Sequence, residues 1–150
     1  MPDYERPLAR RGRRAAKAIC RHAREQGVEP ELVLCSAARR ARETLERIEP
    51  ALGSPAVRIE RPLYGAGSDE LLDRLRAVPD EVGSVMLIGH NPGLQQLALD
   101  LAEPAAEVQE LQAKFPTAAL VTLAFSARTW RLIEPATAEL VGFVRPRDLE

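Results

Sequence analysis

Apolar positions along the chain alternate between short continuous runs and stripes with a spacing of three or four residues. The run Val85–Ile88 predicts a fully buried strand, which ends at Gly89 and His90. A helix is predicted next, with Asn91 as its N-cap, Pro92 as its first residue and leucines on one face. His90 is therefore expected at a strand end beside free helix N–H groups, where an anion is favoured.

The rest of the chain shows the same alternation. Helices are predicted from Arg10 to about Gln26, from the N-cap Ser36 to about Ile48, and from the N-cap Ser68 through Leu75. Strands are predicted at Glu31–Cys35, Val57–Glu60 and Ala118–Phe125, the last with Trp130–Ile133 as its hairpin partner. Residues 103–116 are expected to be a loop with some helical potential, and LVGFVRPRDLE a short apolar segment with a polar tail. The pattern predicts one domain, residues 1–150, of the α/β class: a three-layer α/β/α sandwich around a mostly parallel sheet.

Charge is distributed unevenly along the chain. Residues 1–42 carry 11 Lys or Arg against 5 Asp or Glu, whereas the remainder carries 10 against 17, which gives the net charge of −1. The basic third suits an acidic or phosphorylated protein partner, or only a solvated helix. Aromatic residues make up 4% of the chain and no nucleic-acid-binding motif is present, so no nucleic-acid partner is expected. With no apolar run near the roughly 20 residues of a membrane span, and no signal peptide, we expect a cytoplasmic protein without membrane contact.

The two cysteines and the candidate metal ligands carry little signal. Cys20 and Cys35 fall on a predicted helix and a predicted strand without CxxC spacing, which favours buried, reduced thiols over a disulfide or metal pair. No His, Cys and Asp pattern has metal-ligand spacing, so no metal or other cofactor is expected.

Three arginines begin the helix that follows the strand Glu31–Cys35. Arg39, Arg40 and Arg42 lie in its first turns, where cations oppose the helix dipole at a cost of a few tenths of a kcal/mol each. Taken alone, they are better explained as a solvated surface. Together with His90 at the end of another strand, they favour a phosphate site in which a guanidinium binds phosphate oxygens in pairs.

These motifs, taken in order, resemble the histidine phosphatase superfamily, in its short SixA-like branch of phosphohistidine phosphatases. LVLCSAARRARETLE resembles the strand–Ser–x–x–x–Arg–Ala–x–x–Thr signature, which implies phosphate binding by Arg40 with Ser36 and Thr44 as partners. VMLIGHNPG resembles the strand that carries the second active-site histidine and implies that role for His90. ERPLARRGRRAA, LYGAGSDELLDRL, KFPTAALVTLAF and FVRPRDL resemble other segments of the branch. The resemblance implies a phosphoglycerate mutase-like fold.

One part of the family pattern is missing. The family begins with an apolar strand that ends in Arg–His–Gly or Arg–His–Ala, and this histidine is the nucleophile. The only similar run, Arg21-His22-Ala23, lies inside a predicted helix with His22 only 14 positions before Ser36, so His22 is expected to be an ordinary helix residue. We expect the missing interior strand to be encoded upstream of Met1, and the 150 residues alone to lack turnover.

For a chain that includes that histidine, the resemblance implies two-step phosphoryl transfer through a phosphohistidine intermediate, without a metal. Arg40 would stabilise charge on the phosphoryl oxygens, His90 would hold another oxygen, and Asn91 with its turn would complete the phosphate site. Glu70 and Asp69 are candidates for a general acid, although a phosphohistidine leaving group needs none. The implied substrate is a phosphohistidine-bearing protein. Two alternatives stay open: a catalytically dead module that binds phosphoprotein, and a small-molecule phosphomonoesterase of the same superfamily.

Overall fold

The computed structural model of the chain describes residues 1–116 and 118–149, in which five α-helices and five β-strands are joined by loops and short 3₁₀ turns. The helices are α1 (Arg10–Gln26), α2 (Arg39–Ile48), α3 (Ser68–Arg76), α4 (Gly93–Leu101) and α5 (Val108–Ala113). The strands are β1 (Leu32–Ser36), β2 (Ala56–Glu60), β3 (Val85–Ile88), β4 (Leu120–Ala124) and β5 (Glu139–Val144). The predicted alternation is confirmed through β3, and α5 accounts for the helical potential noted for residues 103–116.

Three strands form a parallel sheet in the order β2-β1-β3. Leu34 in the middle of β1 lies opposite Arg58 of β2 and Leu87 of β3. Because all three strands run in one direction, their carboxyl ends meet at one edge, which is where ligands bind in open α/β sheets. This register brings the residues that follow β1 and β3 together.

Helices cover both faces of this sheet. On one face, Val33 and Cys35 of β1 pack with the apolar sides of α1 and α2. On the other face, Leu32 and Leu34 pack with α3 and α4, because successive side chains of a strand point to opposite faces. The predicted three-layer α/β/α arrangement is confirmed, and β1 at its centre is fully buried along its length.

The last two strands form a separate antiparallel pair, in which Leu120 of β4 lies opposite Val144 of β5. The predicted hairpin partner Trp130–Ile133 is therefore wrong, and the supposed C-terminal apolar segment supplies the strand instead. Trp130 begins a 3₁₀ turn and donates its indole N–H to the carbonyl of Val82 at 2.6 Å. Ile133 is buried in the core cluster with α3 and α4. These apolar side chains fill the core under α3, which explains why an apolar run here is not a strand.

The strand β3 has the predicted bounds, but the prediction that it is fully buried is wrong. All four of its residues are half-buried. Within residues 1–116 and 118–149, β3 pairs only with β1, and β4 pairs only with β5. Residues of both strands line an apolar groove of about 680 Å³, which we call the β3–β4 groove. This groove is bounded by two strand edges that lack backbone partners in the described part of the chain.

Two predicted serine N-caps are also corrected. Ser36 is the last residue of β1, and its hydroxyl oxygen accepts the N–H of Ala38, which is the N-cap of α2. Ser68 is the first residue of α3, and its hydroxyl donates to the carboxylate of Asp100. Gly67 is the N-cap of α3 instead, and its N–H donates to the Glu70 carboxylate at 3.1 Å. Both serines therefore make tertiary or turn contacts in place of the expected local caps.

The states of the two cysteines and the lengths of the helices bear on the predicted reduced thiols and on the absence of a predicted membrane span. Both cysteines are free; Cys35 is buried as predicted, whereas Cys20 is only half-buried. No helix in the described residues has the length and apolar character required to cross a bilayer.

Candidate functional site

The carboxyl ends of β1 and β3 bring Ser36 and His90 into contact. The register that places Cys35 opposite Ile88 leaves Ser36 and His90 just beyond it, with Ser36 Oγ 2.7 Å from His90 Nε2. Ser36 is fully buried, whereas His90 is half-buried. Because the Ser36 hydroxyl is hydrogen-bonded to Nε2, the imidazole is held in a fixed orientation and Nδ1 is its other hydrogen-bonding atom.

Arg40, in the first turn of α2, is the cation of the site. Its guanidinium donates to the main-chain oxygen of Asp3 at 3.0 Å and to the Asp3 carboxylate at 3.2 Å. The Tyr64 hydroxyl donates to the same carboxylate oxygen at 2.6 Å. A carboxylate thus occupies the position on Arg40 where an anionic ligand would bind.

Aromatic rings hold this N-terminal turn over the site. Tyr64 meets the His90 ring edge-on at 5.4 Å between centroids and the Tyr4 ring at 5.1 Å. The guanidinium of Arg61 lies 4.3 Å from the centre of the Tyr4 ring, a cation–π contact. Asp3 and Tyr64 were not among the residues that sequence reasoning selected. Both lie outside periodic elements, and their approach to Arg40 depends on the path of the whole chain.

Burial and neighbouring charges set the protonation states. Burial lowers the pKa of His90 below its ordinary value of 6.5, and the charge of Arg40 lowers it further, whereas Asp3 acts in the opposite direction. The hydrogen bond from Tyr64, aided by Arg40, lowers the pKa of Asp3, and the same bond raises the pKa of Tyr64. At neutral pH the site therefore combines a neutral imidazole, a carboxylate and a guanidinium.

A cavity of about 370 Å³ collects four of the residues selected from the sequence: Arg40, Thr44, His90 and Asn91. Thr44 donates its hydroxyl to the carbonyl of Arg40 at 2.9 Å, one helical turn back. Asn91 donates its side-chain N–H to the carbonyl of Phe115, and Pro92 rather than Asn91 is the N-cap of α4. These residues supply a cation, an imidazole and an amide suited to a phosphoryl group, whereas most of the other residues that line the cavity are apolar.

Other candidates lie apart from this cavity. Glu70 and Asp69 are exposed in the first turn of α3, and Glu70 is engaged as the cap of that helix. His22 lies in α1, as predicted, about 18 Å along the helix axis from Arg10. Since α1 ends next to the start of β1, His22 lies toward the amino ends of the strands, whereas His90 lies at their carboxyl ends. Burial raises the pKa of the Cys35 thiol to about 12, so this neighbour of Ser36 is no nucleophile.

Two further observations bear on the site. Within residues 1–116 and 118–149, no group of three His, Cys, Asp or Glu side chains is arranged to hold a metal ion. Gly93 begins α4, and a Cβ at this position would collide with the carbonyl oxygen of Ala66. The turn after His90 thus packs directly on the loop that precedes α3, which explains the glycine.

Comparison with known proteins finds relatives that align with nearly the whole chain. No family model matches the sequence. An uncharacterized protein of Mycobacterium tuberculosis is 37% identical over 149 residues, covering 97% of this chain and 92% of its own. An uncharacterized protein of Mycobacterium leprae is 36% identical over 148 residues, covering 97% and 89%.

Solved structures with the same fold carry a functional assignment. A Nakamurella multipartitia protein assigned as the phosphohistidine phosphatase SixA has a TM-score of 0.86 and 29% identity, covering 97% of this chain and 88% of its own. An Agrobacterium tumefaciens protein with the same assignment has a TM-score of 0.80 and 28% identity, covering 97% and 87%. The chain belongs to the SixA-like branch of the histidine phosphatase superfamily. A further SixA structure, complexed with tungstate, shares this SixA-like fold at a TM-score of 0.80 and 24% identity, covering 99% and 90%.

Proposed function

We propose that the protein is a phosphatase that removes the phosphoryl group from phosphohistidine on another protein. The observation that carries this proposal is the meeting of Arg40 and His90 at one cavity, with His90 held by Ser36. The likeness to structures assigned as phosphohistidine phosphatases supports the substrate class. A cavity open to solvent suits a phosphoryl group presented on a protein surface.

In the proposed reaction, a nucleophilic imidazole attacks phosphorus while the P–N bond to the substrate histidine breaks, and water then hydrolyses the new phosphohistidine. Arg40 would exchange the Asp3 carboxylate for two phosphoryl oxygens and stabilise their charge. Neutral His90, with Nε2 on Ser36, would donate from Nδ1 to a third oxygen. Asn91 lines the same cavity and would contribute an amide donor.

The nucleophile has to come from outside these positions. The sequence contains two histidines, of which His22 lies near the far edge of the sheet and His90 is fixed by Ser36. We infer that a further strand supplies the nucleophilic histidine and fills the β3–β4 groove. The groove has an apolar lining and two strand edges that are unpaired among the described residues, which suits an extended segment, and a strand parallel to β3 would end beside His90. Without that strand, the 150 residues are expected to bind phosphate and not to turn it over.

A second candidate function is a binding module that recognises a phosphorylated protein. It is favoured by one observation: the two phosphate-binding candidates Arg40 and His90 line one cavity, and the described residues that line it include no second histidine. The same residues would then hold the phosphoryl group without transferring it.

Phosphate release from a phosphohistidine-bearing protein separates these functions. A mass spectrum of the protein from its native source establishes whether residues precede Met1, and that natural form is assayed beside the 150-residue chain. We expect the natural form to release phosphate and the 150-residue chain to acquire no acid-labile phosphate. A stoichiometric phosphoenzyme on the 150-residue chain would overturn the inferred strand. Binding without hydrolysis by the natural form would establish the module, and faster hydrolysis of sugar phosphates would indicate a small-molecule phosphatase.

A further inference from the structure

The exposed face of α1 is a stripe of cations. Arg10, Arg13, Arg14, Lys17, Arg21 and Arg24 are all exposed and fall within one side of the helix at spacings of three and four residues. The opposite side is buried against the core through Gly12, Ala16, Ile19 and Ala23. We call the six exposed residues the α1 stripe.

This stripe works against the stability of its own helix. Like charges three or four residues apart repel each other, and the cations in the first turn oppose the helix dipole. In the described residues, no side chain of the α1 stripe forms an ion pair. Two of them donate only to main-chain oxygens, Arg13 to that of Leu8 and Arg21 to that of Leu149. Ion pairs within the described residues therefore do not account for the stripe, whereas a partner with the opposite charge would.

The stripe begins beside the candidate site. Leu8, just before α1, and Gly12, on the buried side of its first turn, line the same cavity as Arg40 and His90, so the N-terminal end of α1 adjoins the site while the stripe lies on the other side of the helix. From Arg10 to Arg24 the stripe extends about 21 Å along the helix axis. A protein whose phosphoryl group enters the cavity would reach the stripe by extending around the N-terminal end of α1 onto the exposed side of the helix.

We propose that the α1 stripe is the docking surface for an acidic face of the protein that carries the phosphohistidine. This docking role rests on the proposed function. Carboxylates that flank the phosphohistidine on the partner would pair with the stripe while the phosphoryl group enters the cavity. Complementary charge of this kind speeds encounter and selects partners, and it weakens with salt.

Charge reversal on the stripe tests the proposal in the full 150-residue chain. The variant Arg10→Glu with Lys17→Glu changes two cations whose side chains form no hydrogen bond to another described residue. The matched control, Arg128→Glu with Arg131→Glu, makes the same change in charge on exposed residues away from α1. The probes are two peptides of about 20 residues with a central phosphohistidine, one flanked by Asp and Glu and the other by Asn and Gln.

We expect the acidic peptide to bind the unmodified chain about tenfold more tightly than the neutral one at low salt, by fluorescence anisotropy. The stripe variant should bind both peptides equally, and the control variant should keep the preference. Because the new glutamates relieve repulsion, the stripe variant should also melt about 1–3 °C higher, which excludes misfolding as the cause. Equal losses in both variants, or no preference in the unmodified chain, would overturn the proposal.

Two further measurements keep the outcomes distinct. If the unphosphorylated acidic peptide binds as tightly as the phosphorylated one, the proposed function fails while the stripe still selects acidic chains. If a DNA duplex of about 20 base pairs or an anionic lipid vesicle binds the stripe more tightly than the acidic peptide does, the protein partner is wrong. Inorganic phosphate should bind equally to the unmodified chain and to the stripe variant.

Discussion

The strands β1 and β3 both end at the candidate site, yet they lie in different surroundings. β1 pairs on both edges, is covered by helices on both faces and is fully buried. β3 pairs on one edge, borders the β3–β4 groove with the other and is half-buried throughout. Ser36 therefore belongs to a part of the core that is paired on both sides, whereas His90 follows a strand whose outer edge has no partner within residues 1–116 and 118–149. The two halves of the site should differ in stability and in their response to a further strand.

The largest expected difference is in the free energy of unfolding after Leu→Ala substitution. Leu34 and Leu87 are cross-strand neighbours that pack against the same core cluster, but Leu34 is fully buried and Leu87 is half-buried. Leu34→Ala should cost about 2–5 kcal/mol because it leaves a closed cavity. Leu87→Ala should cost about 1–2 kcal/mol because part of its surface already meets solvent.

Urea unfolding followed by circular dichroism measures both costs. In the natural form, if it carries the inferred strand, the cost of Leu87→Ala should rise toward that of Leu34→Ala, since the groove is then filled. If both substitutions lower the free energy of unfolding of the 150-residue chain equally, β3 is as well packed as β1, and the contrast between the two strands is wrong.

These two strands also show how far the sequence alone reaches. The bounds of β3 follow from a local apolar run, whereas the contact of Ser36 with His90 depends on the register of β1 against β3, which no local pattern reports. The burial of β3 was overpredicted because it depends on whether a neighbour occupies its outer edge, which no local pattern reports. Trp130–Ile133 was mistaken for a strand because an apolar run that fills the core resembles one that alternates in a sheet. Asp3 was missed because its contact with Arg40 spans 37 residues of chain.

The second prediction compares the two halves by their effect on catalysis. Arg40, just after β1, and His90, just after β3, are both proposed to stabilise charge on the phosphoryl oxygens. In a natural form that carries the nucleophile, Arg40→Ala or His90→Ala should each lower kcat/KM for a phosphohistidine protein by about 10²-fold or more. His22→Ala is the control and should leave activity unchanged. Near-normal activity in both site variants would remove them from the mechanism, and a folded but inactive His22→Ala would mean that the nucleophile is misplaced.

The third prediction concerns Asp3, whose carboxylate is hydrogen-bonded to the guanidinium of Arg40. Because its carboxylate competes with an incoming anion for the guanidinium, Asp3→Asn should tighten binding of inorganic phosphate about three- to tenfold. Glu5→Gln removes the same charge from the same 3₁₀ turn without a contact to Arg40, and it should change affinity less. Isothermal titration calorimetry measures both; equal gains would indicate a general effect of net charge.

The smallest expected effect is a change in the pKa of His90. It measures how strongly Arg40 and Asp3 each act on the imidazole. Burial and Arg40 hold this pKa below 6.5, so Arg40→Gln should raise it and Asp3→Asn should lower it further. An NMR titration of the His90 ring resonances in the unmodified chain and in each variant measures both changes. Because the folded pKa lies below the unfolded one, the unfolded state binds the proton more readily. Stability should therefore decline as pH falls below 6.5 toward the folded pKa, and less in His90→Gln. An identical decline in that variant would show that other groups, and not the half-buried imidazole of His90, control the acid side of the stability profile.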